Sequence, residues 1–135
     1  MRVLVTGGAG FIGSALVRHL IRDKGDTVLT VDKLTYAGSL RSLRDIAGRP
    51  EHTFVLADIC DRCAMDNIFA SFRPDKVVHL AAESHVDRSI SDAEDFMRTN
   101  VMGTYSLLEA ARTYYDNLSR HDQERFRFLH AISRS

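Results

Sequence analysis

The chain has 135 residues, 44% of them hydrophobic, and its 18 Lys plus Arg balance 18 Asp plus Glu, so the formal net charge is zero. That length suits one modest domain, and charge balance with no basic run argues against nucleic acid or an anionic membrane surface as partner. No apolar run reaches the length of a membrane span and "MRVLVTGG" lacks the apolar stretch and cleavage site of a secretion signal, so a soluble cytoplasmic protein is expected.

Apolar runs alternate with amphipathic stretches along the chain. "RVLVT" (2–6) is a β-branched run that ends in glycines and reads as a first strand. "FIGSALVRHLIRD" (11–23) places Ile12, Leu16 and Leu20 four apart, with Ala15 beside them, which predicts one face of a helix. "TVLTVD" (27–32) reads as a second strand, "SLRSLRDI" (39–46) as a short helix stopped by Gly48 and Pro50, and "HTFVLADI" (52–59) as a third strand. Asp61 is placed to N-cap a helix in which Met65, Ile68, Phe69 and Phe72 share a face, with Pro74 just beyond its end. "KVVHLAA" (76–82) reads as a fourth strand, with His79 as a packed core residue. The longest helix is expected over 92–118, with Phe96, Met97, Asn100 or Val101, Thr104, Leu107, Leu108, Ala111, Tyr114 and Tyr115 along its apolar side. "SRHDQER" (119–125) reads as a loop, and "FRFLHAI" (126–132) as a fifth strand. Strand–helix alternation with near-continuous apolar strands implies an α/β fold, a doubly wound parallel sheet covered on both faces.

The cysteines, Cys60 and Cys63, form "CDRC". A zinc site needs four ligands and no second cysteine pair exists, so no metal site is expected. Without a thioredoxin-like pattern around them, the two read as small residues about a helix start.

The chemistry is concentrated in "TGGAGFIG". Gly7, Gly10 and Gly13 lie directly between the first strand and the first helix. The first permits a tight turn, the second lets the backbone approach a pyrophosphate, and the third lets the helix pack closely on the sheet. The helix N-terminus then directs amide hydrogens and a positive dipole end at the phosphates. A dinucleotide site of this kind expects an acid about 20 residues on, at the end of the second strand, and Asp32 stands there. A carboxylate accepts both ribose hydroxyls and repels a 2′-phosphate, which favours NAD over NADP. This pattern defines a Rossmann-type sheet, expected in strand order 3-2-1-4-5 with right-handed crossovers.

The glycine turn, Asp32 in "VDKLTYAG", Asp58 and Ile59 in "ADI", and "HLAAESHVDRSI" together resemble the extended short-chain dehydrogenase/reductase superfamily. "DKLTYAG" and "SHVDRS" are similar, within it, to the dTDP-glucose 4,6-dehydratase family, and set the chain apart from most sugar-nucleotide epimerases. The resemblance runs from Met1 to about Leu129. It implies that Phe11 and Ile12 lie over the pyrophosphate and that Asp32, Lys33, Leu34 and Thr35 surround the adenosine ribose. It implies that Asp58 and Ile59 hold the adenine. Leu80, Ala81, Ala82, Glu83 and Ser84 would run beneath the nicotinamide half, with Thr99 touching the cofactor and Ser84 also facing the sugar. All but Thr99 lie at or just beyond the carboxyl end of an expected strand, or at the glycine turn, where open α/β sheets bind ligands. It further implies a homodimer through the long helix 92–118. Ser84, His85 and Asp87 invite a hydrolase reading, but triad members must converge in space and sequence neighbours rarely do.

In that family the fifth strand ends on a Ser-Thr-Asp-Glu run that supplies an acid and a base, and a Tyr-x-x-x-Lys pair follows. Here the chain reads "HAISRS", with Ser133, Arg134 and Ser135 across those positions, and Tyr-x-x-x-Lys is absent. No catalytic residue is therefore assigned, and residues 1–135 are expected to form an incomplete NAD-binding domain, truncated after about the fifth strand, without the substrate domain. The expected function is the N-terminal, cofactor-binding portion of a dTDP-glucose 4,6-dehydratase, inactive by itself because proton transfers at the sugar need positioned groups. A non-catalytic NAD-binding or partner-pairing module, and a truncated UDP-sugar dehydratase or epimerase, stand as alternatives. A frameshift, a degraded gene and a truncation each account for the ending.

Overall fold

Strands rich in β-branched residues on both faces need cover on both faces, and the computed structural model places helices accordingly. The structure describes residues 1–7, 11–32, 49–80 and 101–131. In chain order the elements are β1 (Arg2–Thr6), α1 (Phe11–Arg22), β2 (Thr27–Asp32), β3 (His52–Leu56), α2 (Arg62–Phe72), β4 (Lys76–Leu80), α3 (Gly103–Asp116), α4 (Arg120–Arg125) and β5 (Arg127–Ala131). The sheet order is β3-β2-β1-β4-β5, and every pairing is parallel. This is the order expected from the sequence, with "KVVHLAA" beside "RVLVT".

Alternate side chains of each strand enter opposite layers. Val3, Val5, Val28 and Val78 meet Val17, Leu20 and Ile21 of α1. Leu4, Leu29, Val31 and Val77 meet Met65, Ile68, Phe69 and Phe72 of α2 and Leu107, Ala110 and Ala111 of α3. Asp61 caps α2 as expected, its carboxylate accepting from the Ala64 amide. The helix ends at Arg73, in the left-handed region at φ 53°, just before Pro74. Below the sheet, the Arg2 amide donates to Asp75 and the Tyr114 hydroxyl donates to the Pro74 carbonyl, 2.9 Å each, fastening β1 and α3 to the turn before β4.

Four expectations are corrected. The buried side of α1 is Gly13, Ser14, Val17, Leu20 and Ile21, whereas Ala15 is exposed and Leu16 only half-buried. Two overlapping stripes share Leu20, and the sheet selects the one carrying the small Gly13 and Ser14, which allow close approach. "SRHDQER" is mostly helix, not loop: Ser119 caps α4 by accepting from the Asp122 amide. That short helix buries no residue, so it leaves no apolar period to read. The third strand stops at Leu56, because Asp58 to Asp61 close a turn, the Asp61 amide donating to the Asp58 carbonyl at 2.9 Å. On α3 the apolar residues split: Leu107, Ala110 and Ala111 face the sheet layer, while Tyr105, Leu108 and Tyr115, like Val101 just before the helix, are exposed. The helix expected at 39–46, and the part of the long helix before residue 101, lie outside the described residues.

Leu107→Ala is expected to cost about 3 kcal/mol, since it empties a fully buried position. Leu56→Ala, at an exposed edge position, is expected to stay within about 0.5 kcal/mol. Urea titration of both variants checks the contrast.

Candidate functional site

Three strands deliver their carboxyl ends to one edge. Gly7 leaves β1 at φ 73°, a left-handed conformation that glycine adopts without strain. A Cβ there would overlap the Leu80 carbonyl oxygen at the end of β4, so the turn has a second reason to be glycine. The Gly7 amide donates to the Val31 carbonyl at 2.9 Å, and the Ala57 amide to the Asp32 carbonyl at 3.2 Å. Thr6, Asp32 and Leu56 thus lie across neighbouring strand ends, in the register Thr6–Val31 and Asp32–Leu56. The chain runs from β1 outward to β2 and β3, then returns to β4 on the other side of β1. That reversal makes a crevice above β1 and β4, the usual ligand position in open α/β sheets.

Gly7 meets Leu80 at the β1–β4 end of this edge, Asp32 ends β2 next to them, and Asp58 and Ile59 follow β3. Phe11 and Ile12 open α1, directly after the glycine turn. Asp32 closes β2 and is half-exposed. Asp58 spends Oδ1 on its own turn, accepting the Cys60 amide at 2.9 Å. Ile59 is half-buried against α3. Gly10, Lys33, Leu34, Thr35, Ala81, Ala82, Glu83, Ser84 and Thr99 lie outside the described residues, as do His85, Asp87 and the terminal Ser133 to Ser135.

No disulfide joins Cys60 and Cys63. Cys60 sits in the turn before α2, beside α3, and Cys63 is exposed on α2. Among the described residues no cluster of His, Cys, Asp or Glu could hold a metal ion, and no helix is long and apolar enough to cross a membrane.

Sequence reasoning missed a polar chain under the crevice. His79 is 1% exposed, as its core reading requires, but both ring nitrogens are engaged. Nδ1 pairs with the Thr6 hydroxyl, and Nε2 lies 2.8 Å from the Thr104 hydroxyl on α3. The ring stacks on His130 of β5, with centroids 4.7 Å apart. Burial, then the neighbouring His130, lowers the His79 pKa from 6.5 to about 4, so the ring is neutral near pH 7. A neutral imidazole donates at one nitrogen and accepts at the other, so one threonine hydroxyl donates and the other accepts. Thr104 had been counted in an apolar stripe. A threonine inside such a stripe, opposite a strand histidine, was the available signal.

A five-stranded parallel sheet in this order, with helices on both faces and a glycine turn at the switch point, defines a Rossmann-type domain. A family model described as GDP-mannose 4,6 dehydratase matches residues 4–135, and the chain belongs to that family. The dTDP-glucose 4,6-dehydratase of Neisseria meningitidis serogroup B is 58% identical over 129 residues, which is 96% of this chain and 36% of that protein. A dTDP-glucose 4,6-dehydratase from Streptomyces venezuelae, solved with NAD bound, superposes with a TM-score of 0.76 at 45% identity, covering 84% of this chain and 36% of that one. A UDP-glucose 4-epimerase from Thermotoga maritima, solved with UDP-glucose, gives 0.72 at 38% identity, covering 84% and 35%. The chain therefore spans about a third of the length of these relatives.

Because the folded pKa of His79 lies below its unfolded value, the unfolded chain takes up the proton first. The stability held above pH 6.5 is lost as pH falls through 6.5 toward about 4, by up to ~3 kcal/mol. His52, also lowered by burial and hydrogen-bonded to Thr30, adds a loss of the same sign. Denaturation curves across this range should show the loss, and His79→Gln should flatten it. A slope unchanged in that variant would contradict the assignment.

Proposed function

We propose that this chain binds NAD, as the cofactor-binding part of a dTDP-glucose 4,6-dehydratase. The observation that carries the reading is the convergence of the Gly7 turn, Asp32 and the Asp58–Ile59 turn above the β1–β4 switch. The residues fit the group. At Gly7 the positive φ and the Leu80 carbonyl leave no room for a side chain, as the tight turn that opens a dinucleotide site requires. Asp32, at the end of β2, is placed for the adenosine ribose, and Asp58 with Ile59 for the adenine. Phe11, Ile12 and Gly13 stand at the pyrophosphate. On the same reading Lys33, Leu34 and Thr35 complete the ribose pocket. Leu80, Ala81, Ala82, Glu83, Ser84 and Thr99 serve the nicotinamide half, and Ser84 also faces the sugar. When bound, NAD supplies a hydride acceptor at the sugar. The activity proposed for the whole protein is conversion of dTDP-glucose to its 4-keto-6-deoxy product, the chemistry that its 58% identical relative is named for. The acid, base and Tyr-x-x-x-Lys expected for that chemistry are not assigned to any residue of this chain. A UDP-sugar enzyme is the alternative that the epimerase likeness leaves standing.

A partner-pairing role rests on a separate observation. Tyr105, Leu108 and Tyr115 are exposed at helical spacing on the outer face of α3, and Val101 and Met102 just before it are exposed too. Such a stripe fits a second copy of this chain packing helix against helix.

Calorimetry should detect NAD binding that Asp32→Ala largely abolishes, with NADP weaker than NAD. Equal affinity for the variant, or tighter NADP, overturns the ribose assignment. Light scattering should show a dimer that Tyr105→Glu converts to monomer. A monomeric parent chain would remove the pairing role and leave cofactor binding standing.

A further inference from the structure

The first turn of α3 touches both halves of the crevice. On one side Thr104 bonds His79, and His79 bonds Thr6, the last residue before the Gly7 turn. On the other, Gly103 is buried against the 58–60 turn. A Cβ at 103 would come within 2.6 Å of Ile59 Cδ1 and 2.7 Å of Ile59 Cγ1, with Cys60 Sγ at 3.5 Å. Ser106, one turn on, donates its hydroxyl to the Cys60 carbonyl at 3.4 Å. Through the backbone both turns are bonded to β2, Gly7 to Val31 and Ala57, just before the 58–60 turn, to Asp32. The α3 turn adds side-chain contacts to both from the helix layer.

We propose that Gly103, Thr104 and His79 are positioning residues, which hold the glycine turn and the 58–60 turn at the separation a dinucleotide spans. The inference rests on the cofactor reading above and extends it to residues that touch no cofactor. Thr104 acts through His79 on the pyrophosphate side. Gly103 acts on the adenine side by admitting Ile59 into contact with the helix backbone. A buried polar group without its partner is costly, so removing the Thr104 hydroxyl leaves an unpaired ring nitrogen, and β1 loses its hydrogen-bonded link to the helix. Pre-organisation of the two turns then falls, and with it cofactor affinity.

Two measurements on the whole chain test this. The first is hydrogen exchange without cofactor. Thr104→Val should speed exchange in segments bearing the Gly7 and Cys60 amides while leaving those of Val17 and Phe69 unchanged, and Thr104→Ser should restore the parent pattern. Acceleration confined to α3, or spread evenly over the chain, overturns the proposal, since the second pattern is plain destabilisation. The second is NAD calorimetry. Thr104→Val and Thr6→Val should each weaken binding about tenfold, and the double variant should be little worse than either alone, because both break one hydrogen-bonded chain. Multiplying losses, or no loss, overturns it. If the parent chain takes up no NAD, the cofactor reading falls by itself and the exchange pattern still decides whether the turns are coupled.

Discussion

β1 and β4 approach each other so closely at their carboxyl ends that the chain leaving β1 has no room for a side chain. Gly7 meets the Leu80 carbonyl there, in a left-handed turn, and bonds back to β2 through Val31. The rest of the site follows from that approach. It sends the chain into α1 on one face of the sheet, and it places the start of that helix over the strand end. It leaves the crevice between the outgoing half, β1 to β3, and the returning half, β4 and β5, open above the sheet. A bulkier turn would push β4 away from β1 and unpair Thr6 from His79.

The core below this edge is apolar in two layers, yet it admits histidines. His52 bonds Thr30 at 3.0 Å, and His79 bonds Thr6 and Thr104. Each pairs with a threonine on a neighbouring strand, and His79 with one on a helix as well. A buried imidazole kept neutral and satisfied links elements in a way that Val or Leu cannot. The cost is pH sensitivity, since protonation makes both ring nitrogens donors and one threonine must then stop donating. His79 places this sensitivity on β4, under the crevice, where its ring stacks on His130 of β5.

The strands, their parallel order, the Asp61 cap and the glycine turn were legible, because each rests on local rules of period, capping or backbone conformation. The inward face of α1 was not. Leu20 belongs to both stripes, and the choice between Leu16 and Val17 depends on where the sheet lies. The apolar side of α3 read as one surface and is two, because Leu107 and Leu108 are both apolar and only the packing of α2 decides which is buried. The α4 helix escaped because polar residues held by a Ser119 cap carry no apolar period.

The sequence by itself determined the fold class and the dinucleotide pattern of Gly7, Gly13 and Asp32. Those follow from residue type at fixed spacing, which the chain carries wherever it folds. Only the tertiary structure decided what His79, Gly103 and Thr104 touch. Their partners, Thr6 and Ile59, are 73 and 44 residues away in the chain from His79 and Gly103 respectively. Contacts at that separation exist only once β1, β4 and α3 are packed, so a local pattern flags at most the polar residue Thr104 and not its partners.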